Sequence, residues 1–595
     1  MIRRLLFVVT PLLLTLTFVA PAAADSPYVT EKLPVAVGRG GAVSTVDPEA
    51  TRVGLDVLRR GGNAVDAAVA AAATLGVTEP YSAGIGGGGF FVYYDAASGT
   101  VSTIDGRETA PAAMQPNAFV DSNGAPIPFA EAVTSGLSVG TPGTPLTWQR
   151  ALDEWGTLSL LQALRGAIVV AARGFVVDET FRQQTLDNLD RFDDFTSTRE
   201  LFLPNGDAPA VGSVFRNRDL ARTYVQLGAR GVDWLYEGRL GRDVVRTAQQ
   251  PPVVEGANRI VRPGLLERSD LAAYDAPFRA PTVSDYRGLD VYSMAPPSSG
   301  GSTVGEALNI LEQFDLAGLD RTQALHHYLE ASALAYADRN AHVGDPDYVD
   351  VPLEELLSDG FAAERACLIN PALAADKPVA PGDPDGDYAC ELVGAASDVD
   401  EGGTSTTHLT TADRWGNIVS YTLTIEATGG SGIVVPNRGF LLNNELTDFN
   451  FVQAPGALPD PNLPAPGKRP RSSMAPTIVF QDGRPLLALG SPGGATIITT
   501  VLQTLLNRLD FGLSLPDAVA APRASQRNAA TVQAEAAFIA ADGPPLQTLG
   551  HVFGTNTAEI GAVTGIELLD NGKLLAVAEP VRRGGGSAGV VRPHD

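Results

Sequence analysis

Residues 406–426 constrain this chain more than any other stretch. Thr406-Thr407-His408-Leu409-Thr410-Thr411-Ala412 reads as a strand, Asp413-Arg414-Trp415-Gly416-Asn417 as a turn, and Ile418 to Glu426 as a second strand. A loop centred on Trp415 places Thr406 opposite Thr424, and a shift of half a residue would break that pairing. On the second strand Ser420, Thr422, Thr424 and Glu426 share one face, and Val419, Tyr421, Leu423 and Ile425 share the other. The apolar face belongs to a core. The hydroxyl-rich face is expected to line something wet or functional.

What precedes this hairpin is different in kind. From Asn370 to Gly403 the composition shifts to Pro, Gly, Asp and Ala, too little apolar area to order a segment, so a flexible linker is expected over about 370–405. The whole chain, by contrast, has 595 residues, 44% of them apolar and 19% charged, enough for about four folding units or fewer large ones. Its net charge of −25 repels phosphate backbones and anionic lipid, which argues against nucleic acid as a partner.

The N-terminus carries Arg3 and Arg4, an apolar run from Leu5 to Ala20, and Ala22-Ala23-Ala24 before Asp25, the pattern of a secretory signal peptide over residues 1–24. Pro11 interrupts a run already short for a bilayer span, and no later run of 18 apolar residues follows. A secreted protein, periplasmic or extracellular, is expected. In an oxidising compartment Cys367 and Cys390 are expected to pair, with two free thiols as the alternative; a two-Cys metal site lacks nearby His partners.

Asp47-Pro48 starts a helix that Gly61-Gly62 ends, and Asn63 with Asp66 forms a variant capping box for a second, Ala-rich helix. Gly84-Ile85-Gly86-Gly87-Gly88-Gly89 then leads into an apolar strand; no GK[ST] follows, so the glycines signal close backbone packing rather than a phosphate loop. About 145–280 reads as helical scaffold, and a loop near Pro296-Pro297-Ser298-Ser299 enters a further helix.

A threonine hydroxyl becomes a nucleophile when a base takes its proton, and the α-amine of a chain-initial threonine can be that base. Thr406 meets this condition only after a cut between Ser405 and Thr406; read by itself, it is an ordinary threonine opening a strand. Blocks in fixed order carry the further step: GGNAVDAAVA, GIGGGGF, DGRETAP, PPSSGG, LAYADRNAHVGDPD, TSTTHLT, FLLNNELTDF, KRPRSSMAPT and LGSPGGATIITTVLQ. In these blocks, which span nearly all of the mature chain, the sequence resembles the γ-glutamyltransferase (γ-glutamyltranspeptidase) family.

The resemblance implies an α+β N-terminal nucleophile hydrolase fold, an αββα sandwich of two stacked sheets between helical layers. It implies self-cleavage before Thr406, giving a large subunit 25–405 and a small catalytic subunit 406–595 that stay together as a heterodimer. Thr406 would attack the γ-carbonyl of glutathione or another γ-glutamyl compound, with Thr424 positioning it and the acyl group passing to water or to an amino acid or dipeptide acceptor. Gly493 and Gly494 match the oxyanion hole, where losing a donor typically costs about 3 kcal/mol. Arg107 would grip the α-carboxylate with a planar fork, helped by Ser472 and Ser473, while Asp448, Glu426 and Glu445 face the α-ammonium.

Two departures stand out. The loop between Phe449 and Lys468 is short, Pro-rich and lacks tyrosine, so a more open pocket is expected; Glu426 and Glu445 stand where other members have amides. No cofactor and no metal are expected, because His326-His327 lack HExxH spacing, and His408 reads as structural. Two other readings remain: an acylase for glutaryl or cephalosporin-type amides, and a non-catalytic exported binding protein. An intact Arg107 and Asp448 argue against the first of these.

Overall fold

Helix Pro48–Arg59 begins where the Asp47 side chain accepts from the Ala50 amide at 2.9 Å, and helix Ala64–Thr78 begins with the Asn63–Asp66 capping box complete on both sides. Each cap satisfies amides that a helix start leaves unpaired. Both helices are followed by the glycine run and strand Gly88–Asp95. The computed structural model describes residues 28–388, 390 and 405–593, so the expected signal peptide lies outside the described residues.

The strands form two antiparallel sheets that share one strand. The first runs in the order Phe278–Arg279, Thr100–Gly106, Gly88–Asp95, Ile418–Thr424, Thr407–Asp413, then Val35–Thr45, whose other edge carries Ser587–Pro593. The second runs from Val35–Thr45 through Leu574–Ala578, Thr564–Leu568, Arg484–Gly490, Thr477–Gln481, Leu289–Ser293 and Thr282–Tyr286. Val35–Gly38 pairs in the second sheet and Gly41–Ser44 in the first; Gly40 and Gly41, both at positive φ, allow the strand to change sheets. Helices Pro48–Arg59, Ala64–Thr78 and Thr144–Trp155 cover the first sheet, with Leu160–Arg173 packed on Ala64–Thr78. Gly300–Glu312 and Ile497–Leu509 cover the second, with Arg321–His342 packed on Gly300–Glu312. Three apolar cores follow from this layering, one under each helical layer and a smaller one between the sheets, containing Val92, Ala412, Ala488 and Ile566. The fold is an αββα sandwich.

The hairpin pairs Ile418 with Ala412, Thr422 with His408 and Leu423 with Thr407, the register centred on Trp415. Val419, Tyr421, Leu423 and Ile425 enter the core beneath the first helical layer. The hydroxyl face corrects the expectation of a wet surface. Ser420 and Thr422 are fully buried between the sheets, Ser420 Oγ donating to Leu489 O at 3.1 Å and Thr422 Oγ1 meeting His408 Nδ1 at 2.8 Å. A second sheet stacked on that face excludes water along most of its length. Only the Thr424 end opens into a pocket.

Residues 370–388 also differ from expectation. Lys377 bonds both carboxyl oxygens of Glu330 at 2.9 Å, Val379 exchanges backbone bonds with the Asn528 side chain, and the Gly382 amide reaches Asp338 at 2.6 Å. The Cys367 and Cys390 sulfurs are bonded. Polar groups on remote segments hold this stretch, a force that composition does not report; the rest of the expected linker, 391–404, lies outside the described residues.

Candidate active site

Thr406 immediately precedes strand Thr407–Asp413, where the hairpin ends against the glycine run. Its hydroxyl lies 2.5 Å from the Ser405 carbonyl oxygen and 3.3 Å from Thr424 Oγ1, which lies 3.1 Å from the same carbonyl oxygen. Thr424 Oγ1 in turn accepts from the Glu426 amide at 2.8 Å. Gly87 makes this approach possible, because a Cβ there would lie 2.0 Å from the Thr424 carbonyl oxygen.

The other side of the Ser405–Thr406 bond is held by residues that sequence reasoning missed. Arg583 donates to Thr406 O at 2.6 Å and to Ser82 Oγ at 2.7 Å; the Ser82 and Ser405 hydroxyls meet at 2.8 Å, and Ser405 Oγ donates to Tyr81 O at 3.0 Å. Burial lowers the Arg583 pKa, countered by Glu79 and Glu559. Ser82 and Arg583 lie 501 positions apart, so no local pattern could have joined them. His408 is not part of this arrangement: it sits between Thr422 and Thr410, and burial pushes its pKa down to about 3, leaving it neutral.

Gly493 and Gly494 form a turn between strand Arg484–Gly490 and the helix Ile497–Leu509, both at positive φ. The Gly493 carbonyl accepts from the Thr496 amide and hydroxyl, and Tyr336 holds Ala495 O. The amides of Gly493 and Gly494 donate to no group among the described residues. A rigid turn with free donors is the arrangement an incipient oxyanion requires.

Arg107, Thr406, Thr424, Glu426, Glu445, Asp448, Ser472, Ser473 and Gly494 line one pocket with Ser405, and Gly493 stands just outside it. Arg107 is fully buried. Its guanidinium bonds Glu445 Oε1, Asp448 Oδ2, Pro470 O and Arg471 O. The expected open fork is therefore closed by the acids beside it, and the Arg107 pKa is raised by Glu445 and Asp448 against the desolvation that opposes it. Glu426 has φ 76°, a conformation costing about 1 to 3 kcal/mol in a non-glycine residue, and is fixed by Asn444 and by Thr447 at 3.3 Å.

Ser472 and Ser473 are built into a crossing of two segments. Ser298 bridges Ser472, the Ser299 amide and hydroxyl donate to Ser472 O, and Arg339 bonds both Ser299 Oγ at 2.7 Å and Ser473 Oγ at 2.9 Å. Three of the recognised sequence blocks thus support one edge of the pocket. Elsewhere His326, Glu330 and His551 bring possible ligand atoms within 4.8 Å of one another. Lys377 already occupies Glu330, and His326 already meets Asn370 O and His551, so this group is satisfied by protein. The described residues include no helix long and apolar enough to cross a membrane.

Comparison with known proteins identifies the family. The family model for gamma-glutamyltranspeptidase matches residues 50–589. The glutathione hydrolase proenzyme of Bacillus subtilis (strain 168) is 41% identical over 580 residues, covering 95% of this chain and 94% of its own. The Acylase ACY 1 proenzyme of Pseudomonas sp. (strain SE83) is 34% identical and covers 94% of both chains. Among solved structures, the cephalosporin acylase from Bacillus halodurans superimposes with a TM-score of 0.80 at 28% identity, covering 96% of this chain and 99% of its own. With the Thr406 hairpin, the Gly-Gly turn and the arginine–carboxylate pocket all in one αββα sandwich, this chain belongs to the γ-glutamyltranspeptidase family.

Proposed function

We propose that this chain is the precursor of an exported γ-glutamyl hydrolase and transpeptidase that cuts itself between Ser405 and Thr406. The observation that carries the reading is the Thr406 hydroxyl beside the Ser405 carbonyl, with Thr424 Oγ1 on the same oxygen, at the mouth of the Arg107 pocket. In the cut, Thr406 Oγ1 adds to the Ser405 carbonyl carbon while Thr424 donates to the developing oxyanion. The C–N bond breaks, its nitrogen takes up the hydroxyl proton, and an ester joins Ser405 to Thr406 Oγ1. Water hydrolyses that ester and frees the Thr406 amine and hydroxyl. The large subunit ending at Ser405 and the small subunit starting at Thr406 remain associated, because each sheet contains strands of both, hydrogen-bonded across the division where Gly88–Asp95 meets Ile418–Thr424, Val35–Thr45 meets its neighbours and Thr477–Gln481 meets Leu289–Ser293.

The new α-amine then takes the proton from Thr406 Oγ1 as it attacks the γ-carbonyl of glutathione or another γ-glutamyl compound. The Gly493 and Gly494 amides stabilise the oxyanion. The leaving amine takes a proton, and water or the amine of an amino acid or dipeptide acceptor resolves the γ-glutamyl ester. The donor's α-end is a zwitterion, and the resting ion pair of Arg107 with Asp448 and Glu445 is its mirror image. On binding, the substrate carboxylate takes a share of Arg107 and its ammonium takes a share of the acids, so each charge exchanges one partner for another.

The test has two parts. Sequencing of the small fragment should begin at Thr406, and Thr406→Ala should leave the chain uncut and without activity; efficient cleavage of that variant would contradict the scheme. Turnover of γ-glutamyl-p-nitroanilide should greatly exceed that of glutaryl-p-nitroanilide, which lacks the ammonium; the reverse preference would make the protein an acylase.

A further inference from the structure

A second cavity adjoins the Arg107 pocket along the Gly-Gly turn: Ala495 lines both, and Gly493 lines the second. With Ser405 in place the Arg107 pocket has a volume of about 30 Å³, whereas the neighbouring groove has about 680 Å³, within the range of small-molecule sites. The groove's lining is polar apart from Pro492, Ala495 and Ala558, and its charged groups are Arg527, Arg583, Asp187 and Glu559. Arg583 is committed to Thr406 O at 2.6 Å and to Ser82 Oγ at 2.7 Å, so the groove reaches the group that grips Thr406. Arg527 stands on the connection between strands Ala524–Ser525 and Gln533–Ala534. Buried neighbours fix its backbone on both sides: the Gln526 side chain accepts from the Ala529 amide at 3.0 Å, and the Asn528 side chain bonds both the amide and the carbonyl of Val379. The Arg527 guanidinium lies 3.4 Å from Gln533 Oε1, on the same lining.

We propose that this groove receives the leaving amine and the acceptor, and that Arg527 selects molecules bearing a free carboxylate there, such as amino acids and short peptides. The reacting carbonyl carbon has three substituents to place. Its acyl chain enters the Arg107 pocket and its oxygen takes the Gly493 and Gly494 amides, so its nitrogen departs in the remaining direction, past the same turn. The groove begins at that turn. An acceptor arrives by the path along which the leaving amine departs, because the two steps are one reaction run in opposite directions. In transfer the acceptor nitrogen bonds the γ-carbon, the bond from that carbon to Thr406 Oγ1 breaks, and one acceptor proton passes through the Thr406 α-amine to Oγ1. A planar guanidinium meets a carboxylate through two parallel N–H groups, a fit that a carboxamide does not reproduce. Two arginines against two acids give the groove a charge near zero, which suits a zwitterion better than a polyanion.

This inference rests on the γ-glutamyl reading, and its test separates the two. With γ-glutamyl-p-nitroanilide as donor, transfer is measured to glycylglycine and to glycylglycinamide, which differ only in the terminal carboxylate. The wild type should favour glycylglycine in kcat/KM by about tenfold or more, the worth of a charge-assisted hydrogen bond, and Arg527→Gln should bring the two acceptors within about twofold of each other. A second arm needs no acceptor: Arg527→Gln should raise the KM for glutathione, whose leaving amine carries a carboxylate, several-fold more than the KM for γ-glutamyl-p-nitroanilide, whose leaving amine carries none. This arm decides the matter should water be the sole acceptor. Formation of the small subunit reports folding, and Arg527→Lys, which keeps the charge without the fork, replaces the Gln variant should that one fail to fold; its preference for glycylglycine should fall several-fold. Equal use of both acceptors by the wild type, or an undiminished carboxylate preference in the Arg527 variants, would overturn the proposal while leaving the functional reading intact. No γ-glutamyl turnover by the wild type would overturn that reading and the proposal with it.

Discussion

At the scale of single residues, the pocket works by pairing groups that would each be costly alone. Arg107 is buried with four of its five donors satisfied, two of them by carboxylates, which is what makes a buried guanidinium tolerable. A lysine has one point of charge in place of that fork. Arg107→Lys should therefore raise KM for γ-glutamyl donors by about ten- to a hundredfold, the loss of one or two charge-assisted hydrogen bonds; an unchanged KM in steady-state assays would remove Arg107 from donor recognition. In the proposed self-cleavage Thr424 donates to the oxyanion that develops on Ser405 O. Thr424→Val keeps the shape but removes the donor to Ser405 O, and subunit formation followed on gels should slow by about a hundredfold, as expected for one oxyanion donor.

At the scale of elements, the glycine run is what lets the Thr406–Thr424 hairpin end where it does. Gly86 and Gly87 leave no room for a side chain: a Cβ at Gly86 would lie 2.1 Å from Leu441 O, and one at Gly87 would lie 2.0 Å from Thr424 O. Because both obstacles are backbone, neither can swing aside. Gly87→Ala should displace the Thr424 end of the strand, destabilise the precursor by about 1 to 3 kcal/mol and slow its cleavage; thermal melts and processing rates check both. The apolar face of strand Ile418–Thr424 was legible from period-two alternation, since any sheet must bury such a face. The fate of its hydroxyl face was not, because buried polar groups satisfied across two sheets have the same sequence pattern as exposed ones.

At the scale of the whole molecule, the αββα layering buries titratable groups deep in the interior. His408 between the sheets and His551 under the second helical layer are both held near pKa 3 by burial, against 6.5 in an ordinary environment. The unfolded chain binds protons below pH 6.5 that the folded chain refuses until about pH 3. Their contribution to stability is therefore full above pH 6.5 and is lost as pH falls toward 3. For His408 alone the loss between pH 7 and pH 5 amounts to about 2 kcal/mol. Urea midpoints should fall over this interval, and His408→Gln, which cannot titrate, should show a smaller fall; equal falls would mean that His408 takes up its proton without unfolding.

The sequence by itself determined the local grammar: helix caps at Asp47 and Asn63, the hairpin register about Trp415, the glycine run as a close-packing segment, and, through blocks in fixed order, the family and the residues of the pocket. These depend on neighbours a few positions apart or on ordered motifs, and both can be read along a line. Only the tertiary structure decided that the hydroxyl face is dry, that 370–388 is docked by Glu330, Asp338 and Asn528, and that Arg583 and Ser82 flank the Ser405–Thr406 bond. Each of these is a contact between polar groups far apart in the chain, whose strength depends on burial and geometry that no stretch of sequence carries alone.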